Sequence, residues 1–243
     1  MTGGLALAAC SHQGGGAPDT SPAPTDVLSG GPRTSASSDA SLKASAAPAD
    51  SPGDHVSPDS LQVLVNKRNP LSPRDYAPSD LQAFGSVQLR SAAAQAAQQM
   101  FDAARQAGLS LIALSGYRSY AEQVGTYQHW VNTYGKEQAD VASARPGYSE
   151  HQTGFALDVG TGAGCDLQVC FRETDAAQWL AEHCTRFGFV LRYPWQQHET
   201  TGYWFESWHF RFIGTDQADA YRKAKARSLE DFWGYPTAAT YAD

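Results

Sequence analysis

From Leu61 onward, apolar residues recur with two periods, and Gly, Pro and Ser separate the runs. Leu61–Val65 is a short apolar run predicting a strand, and Pro70, Pro73 and Pro78 punctuate the loop after it. The Ala-rich stretch from Val87 to Ala107 predicts a helix, with Ser86 as N-cap and Gly108 as its stop. Leu109–Leu114 is too short for a helix and reads as a buried strand. A second helix starts after Ser119, which forms a capping-box pattern with Glu122. Its expected core face is Val124, Tyr127, Val131 and Tyr134, and Gly135 ends it. Strands are predicted at Phe155–Val159 and Phe189–Tyr193, with a helix over Ala176–Phe187 between them that stops at Gly188. In Trp208–Phe212, His209 and Arg211 face one way and the three aromatics the other, a strand with two unlike faces. Asp216–Arg227 closes the chain as a charged surface helix. Helices and strands interleaved with long irregular loops indicate an α+β domain.

The first 60 residues belong to no such pattern. They contain no aromatic residue, whereas seven of the 13 prolines and eleven serines fall there, so this segment lacks the apolar surface to offset its chain entropy. The expected organisation is therefore a disordered linker over residues 1–60 and one domain over 61–243. The opening run closes on Leu7-Ala8-Ala9-Cys10, which is similar to a bacterial lipobox, although no Lys or Arg precedes it and the apolar run is short. With the Ser/Pro/Gly spacer that follows, the expectation is an exported protein in the bacterial envelope, lipid-anchored through Cys10. The other reading is an Ala-rich terminus with a stray Cys.

Net charge and cysteine usage narrow the classes further. A formal charge of −7 lacks the basic footprint that duplex nucleic acid demands. No run approaches the roughly 18–20 apolar residues of a membrane-spanning helix. Cys165 and Cys170 flank a short loop where a disulfide is sterically feasible, and an oxidising compartment would allow it. Cys184 reads as a buried thiol. The competing arrangement, a structural zinc on Cys165, Cys170, His183 and Cys184, requires adjacent His and Cys of one helix to point the same way.

Reactive side chains concentrate in two places. In Ser149-Glu150-His151-Gln152-Thr153-Gly154-Phe155-Ala156-Leu157-Asp158, a loop histidine leads into an apolar strand carrying a carboxylate. Such a carboxylate must be paired or bound to a metal. In Glu206-Ser207-Trp208-His209 a second histidine lies on a strand. Each residue alone reads as structural. Together, two His and one Asp with an open fourth position make a catalytic zinc set, and a nearby non-ligand Glu can take a proton from water. His129, His183 and His198 read as packing or surface residues, and Trp130, Trp179 and Trp208 as core.

These two segments, with Ser115-Gly116-Tyr117-Arg118-Ser119, Gln123 and the early Val65-Asn66-Lys67-Arg68, closely resemble VanY-type D-alanyl-D-alanine carboxypeptidases over about Leu61–Ile213. Those are zinc peptidases sharing a fold with lysostaphin-like and hedgehog-like proteins. The resemblance implies a small central antiparallel sheet flanked by helices, with the zinc site on the sheet. His151, Asp158 and His209 would hold one Zn²⁺, Glu206 would be the catalytic base, and Arg118 would contact substrate at the reaction centre. Gln123 and Ser149 match positions shaping the pocket for the terminal D-alanine. Ser207 stands where many members have Pro. The implied reaction is removal of the terminal D-alanine from peptidoglycan stem peptides by a monomer. L,D-cleavage of tetrapeptides and a non-catalytic wall-binding module are the alternatives.

Overall fold

The computed structural model describes residues 53–242; the lipobox-like run, Cys10 and most of the expected linker lie outside them. The chain first forms a hairpin, β1 (Leu81–Phe84) and β2 (Val87–Arg90), across the Gly85-Ser86 turn, and then α1 (Ser91–Gln106). This corrects the start of the expected helix. A two-residue Gly-Ser loop between apolar residues closes a hairpin. Ser86 caps nothing, and its hydroxyl donates to the Ala113 carbonyl at 3.3 Å. Helix α1 buries Ala93, Ala97, Met100 and Ala104, one face of a regular helix.

Next come β3 (Ile112–Ser115), α2 (Tyr120–Tyr134) and α3 (Lys136–Ala142). The Ser119/Glu122 capping box is present in full, and Gly135 ends α2. The expected core face of α2 is not buried: Val124 is 44% and Tyr134 58% exposed, and only Gln123 is buried. The helix packs chiefly on α3, leaving Val124 and Tyr134 toward solvent and Tyr127 and Val131 half-buried. β3 is likewise an edge strand, with Ile112 exposed.

A 3-10 turn over Glu150–Thr153 leads into β4 (Ala156–Gly160). After the Cys165–Cys170 disulfide come α4 (Asp175–His183), a 3-10 turn over Cys184–Phe187 and β5 (Phe189–Tyr193). Because Cys165 and Cys170 bond each other, the four-ligand arrangement with His183 and Cys184 is excluded. Cys184 is a buried free thiol. The short α5 (His198–Thr201), β6 (Glu206–Phe212), α6 (Thr215–Lys223) and α7 (Leu229–Trp233) complete the order. The expected terminal helix Asp216–Arg227 ends early, at Lys223, with Lys225 at φ 53°, and α7 beyond it was not expected. Ser228 caps α7, its hydroxyl accepting from Asp231 N.

The four-stranded sheet is antiparallel throughout, in the order β3-β4-β6-β5. One face is apolar: Leu157, Val159, Phe189, Phe210 and Phe212 pack with α1, Leu180 and Phe171. The other face carries Asp158, His209, Arg192 and Arg211, all buried. Leu61–Val65 runs beside Arg211 as a loop rather than the expected strand. Its Leu61 and Val63 carbonyls accept from Arg211 Nη2 at 3.1 and 2.9 Å, so a guanidinium supplies what a neighbouring strand would. Residues assigned to the linker join the domain as well. The His55 ring lies 4.6 Å from Trp233 and Asp59 pairs with Arg90 at 3.3 Å.

Candidate metal centre and catalytic cavity

Register alone brings two of the expected ligands together, because Asp158 on β4 is directly opposite His209 on β6. Directly opposed side chains share a face with Cβ atoms about 5 Å apart. His151 arrives from the 3-10 turn, which ends at Gly154 in the left-handed region (φ 72°). A Cβ there would press on Arg90. Asp158 Oδ2 lies 3.3 Å from His151 Nε2, and Asp158 Oδ1 lies 3.1 Å from His209 Nδ1. The two imidazoles stand edge to face at 4.9 Å.

Glu206 comes to the same place through a defect in the sheet. Between the pairs Leu191↔Phe210 and Tyr193↔Glu206, β5 advances two residues and β6 four, so β6 carries two extra. In a regular strand, residues three apart point to opposite faces. The bulge cancels that, and Glu206 Oε2 lies 3.6 Å from His209 Nδ1.

The donor atoms fit a zinc ion. Ligands about 2.0–2.2 Å from a tetrahedral ion lie roughly 3.3–3.6 Å from one another, close to the spacings around Asp158. The candidate donors of His151, Asp158 and His209 lie within 4.8 Å of one another, and Asp158 Oδ1 is buried without a hydrogen-bond partner. His151 Nδ1 is 2.7 Å from the Gly116 carbonyl, which fixes the tautomer and leaves the Nε2 lone pair facing Asp158. Gly116 is required for that approach, since a Cβ there would press on the Gln88 carbonyl. On the far side of His209, Nε2 lies 3.5 Å from Glu150 Oε2, the placement of a carboxylate supporting a metal-bound histidine.

Glu150, Arg192 and Arg211 are the residues that sequence reading passed over. Glu150 Oε1 accepts from Arg192 Nε at 2.9 Å and Arg211 Nη1 at 3.0 Å. Arg192 also grips Glu230 with two bonds of 2.9 and 2.7 Å. All four side chains are fully buried. Two arginines in otherwise apolar strands were the available signal, because buried charges demand partners.

Electrostatics follow from this packing. Burial works against ionisation of Asp158 and Glu150. The neighbouring His151 and His209 nevertheless hold Asp158, and Arg192 and Arg211 hold Glu150, well below the usual carboxylate range. Burial pushes Glu206 up to about 7, with Asp158 adding to the rise and His209 opposing it. Burial lowers His151, whereas for His209 the Asp158 and Glu150 carboxylates outweigh burial and raise it to about 9. A carboxyl group near neutrality beside a metal-ligand set is suited to take up and return a proton.

These groups line a cavity of about 200 Å³. Arg118 and Ser149 line it, as expected of substrate-contacting positions. Gln123 does not. It is fully buried behind Arg118, accepting from Nη1 at 2.8 Å while its own amide donates to the Ala144 carbonyl at 2.7 Å, so it positions the guanidinium. Ser115 Oγ accepts from Arg118 Nη2 at 3.2 Å. Trp130 and Trp208, read as core, line the cavity; Trp208 also packs against the main core, as Trp179 does. Lys67 serves from behind. Its ammonium, lowered to about 8 by burial, sits 4.9 Å from the ring centroid of Tyr203, a cavity wall.

Comparison with known proteins agrees with this geometry. The family model described as VanY, D-alanyl-D-alanine carboxypeptidase, matches residues 86–215. The chain is 37% identical to a putative carboxypeptidase, YodJ, of Bacillus subtilis (strain 168), over 66% of this chain and 63% of that protein. It thus spans about three-fifths of that relative's length. Among solved structures, the LD-carboxypeptidase LdcB is similar at 34% identity and TM-score 0.68, covering 74% of this chain and 88% of the other. A vancomycin-resistance D,D-pentapeptidase, VanY, solved as a mutant in complex with Zn(II), is similar at 31% and 0.62, covering 70% and 97%. With more than half its length matched and the motifs folded into one site, the chain belongs to the VanY family of D-alanyl-D-alanine carboxypeptidases.

Proposed function

We propose that this chain is a zinc-dependent D,D-carboxypeptidase that removes the terminal D-alanine from peptidoglycan stem peptides. The observation that carries the reading is Glu206, 3.6 Å from a candidate ligand atom, in the cavity that Arg118 also lines. Zn²⁺ held by His151, Asp158 and His209 would lower the pKa of a water toward about 7 and polarise the scissile carbonyl. Glu206 takes the proton of the attacking water and delivers it to the departing amine. Arg118, its planar fork aligned by Gln123 and Ser115, binds the substrate carboxylate or the developing oxyanion. Ser149 shapes the wall beside it. A binding module would need neither Glu206 nor Arg118.

An L,D-specific reading has one observation in its favour: LdcB is the more similar of the two solved relatives above in both identity and TM-score. The stem-peptide substrate is extracytoplasmic, in keeping with an envelope location, the Cys165–Cys170 disulfide and an anchor at Cys10.

The test is incubation of the zinc-loaded chain with purified pentapeptide and tetrapeptide stems, reading released alanine by mass spectrometry. Cleavage of the pentapeptide supports the D,D reading, and cleavage of the tetrapeptide alone replaces it with the L,D reading. Release from neither removes the catalytic proposal. Glu206→Gln keeps the shape and abolishes the basicity, so kcat should fall at least about 10²-fold with zinc content unchanged. A fall of only a few-fold means Glu206 is not the base.

A further inference from the structure

Outside the catalytic cavity the chain displays a second concave surface built of aromatic rings. Trp195 and Trp204 are 55% and 52% exposed. With Val169 and Phe205 they line an open groove of about 310 Å³, and Gln196 and His198 supply its polar atoms. The Trp195 ring is held in place. Phe205 meets it edge-on at 5.5 Å, and the Arg172 guanidinium lies 5.3 Å from its centroid.

The groove's lining residues follow or precede those of the catalytic cavity by one or two positions on three chain segments. Leu167 lines the cavity and Val169 the groove, both inside the loop closed by the Cys165–Cys170 disulfide. Tyr193 lines the cavity and Trp195 the groove. Glu206 lines the cavity, and Phe205 and Trp204 just before it line the groove. Two residues of extended chain cover only about 7 Å, so on each segment the two walls nearly adjoin.

Whatever enters the cavity by its C-terminal end must leave along some surface, and this one adjoins it. The chemistry of the groove selects among the parts of a stem-peptide substrate. Methyl and carboxylate side chains offer little to two indoles in a groove whose lining holds no Asp, Glu, Lys or Arg and whose one titratable residue is His198. A pyranose ring offers a flat C–H face to an aromatic ring, and its hydroxyl and acetamido groups suit Gln196 and His198. Four extended residues span about 14 Å, so a sugar attached at the peptide's N-terminus remains within reach of the neighbouring groove. We propose that the Trp195/Trp204 groove is a subsite for an N-acetylated sugar ring of the glycan strand that carries the stem peptide. This rests on the stem-peptide reading above.

Two measurements on the zinc-loaded full chain test it separately from that reading. The first is a tryptophan-fluorescence titration with tetra-N-acetylchitotetraose. The wild type should respond saturably and Trp195→Ala/Trp204→Ala should not, with circular dichroism checking that the variant is folded. If the double variant does not fold, Trp195→Leu and Trp204→Leu taken singly should each weaken the response. The second compares alanine release from a free stem peptide and from the same peptide on its disaccharide. The double variant should lose about tenfold in kcat/KM on the disaccharide form and little on the free peptide. No saturable response in the wild type, or equal losses on both peptides, overturns the subsite. If the wild type cleaves neither peptide, the catalytic reading fails while the sugar titration still decides the groove.

Discussion

Replacing Glu150 by Gln probes the buried charge layer under the site. The cluster balances two guanidiniums, Arg192 and Arg211, against two carboxylates, Glu150 and Glu230, with all four side chains at 0% exposure. Glutamine keeps the volume and one acceptor oxygen but removes the charge that Arg211 meets at 3.0 Å and Arg192 at 2.9 Å. Glu230 remains, engaged by Arg192 and by Asn66 Nδ2 at 2.9 Å, so the layer is left with one uncompensated positive charge. Breaking a buried pair by removing one partner costs about 3–5 kcal/mol. For a domain of this size that corresponds to a fall in Tm of about 6–20 °C. Guanidinium-induced unfolding of the metal-free protein measures the loss. The same substitution removes the carboxylate 3.5 Å from His209 Nε2, so zinc affinity should weaken about 10–100-fold. A double-mutant cycle with Arg211→Met should show coupling of about 0.5–3 kcal/mol. A loss below about 1 kcal/mol together with unchanged zinc affinity would refute both the energetic and the supporting role.

Other outcomes are expected. In the metal-free protein His209 is raised to about 9, so zinc uptake at pH 8 should release at least about one proton, read by calorimetry in buffers of differing ionisation enthalpy; no release contradicts the Asp158–His209 pairing. The raised His209 pKa stabilises the metal-free fold in full below its ordinary 6.5, and that stability is lost as pH rises toward 9. Glu206, raised from 4.5 to about 7, acts in the same direction across its own interval. His151, lowered by burial, opposes the trend below about 6.5, and Lys67, lowered to about 8, opposes it above that value. Thermal melts without metal should therefore decline from about pH 6.5 to 8, and a rise over that interval would count against these shifts. Cys184 is buried and pushed up to about 12 by burial. A chain beginning at Gly53 should then show no rapidly alkylated thiol at pH 8 until it is reduced or unfolded. That same chain should keep full stability, whereas starting at Leu61 should lower Tm by removing His55 from Trp233 and Asp59 from Arg90.

The sequence was most legible where a local rule and the tertiary structure agreed. The Ser119/Glu122 capping box, the Gly135 and Gly188 stops and the alternation in Trp208–Phe212 are all decided within a few residues, and all appear in the fold. The three ligand candidates were legible because a histidine and a carboxylate in apolar strands are conspicuous, and the fold gathers them. Context decided the rest. Val87–Arg90 pairs with Leu81–Phe84 rather than extending the helix that follows. Leu61–Val65 gives carbonyls to a guanidinium 148 or more residues away. Val124 and Tyr134 of α2 follow helical spacing but face solvent, because the helix leans on α3 instead of the sheet. The role of Glu150 was hidden for a different reason. Nothing in Ser-Glu-His distinguishes an acid that faces water from one that faces two arginines across the sheet.

The cross-strand pairing of Asp158 with His209 ties ligand geometry to the alignment of the two central strands. A slip of one residue would turn one partner to the opposite face and dismantle the donor set at once, while leaving much of the backbone bonding intact. Tight zinc binding therefore reports correct strand alignment as well as the presence of ligands. A misaligned species would pass a test of secondary structure and fail a test of metal affinity. During maturation, capture of the ion would act as a final check that the sheet has been assembled in the right alignment.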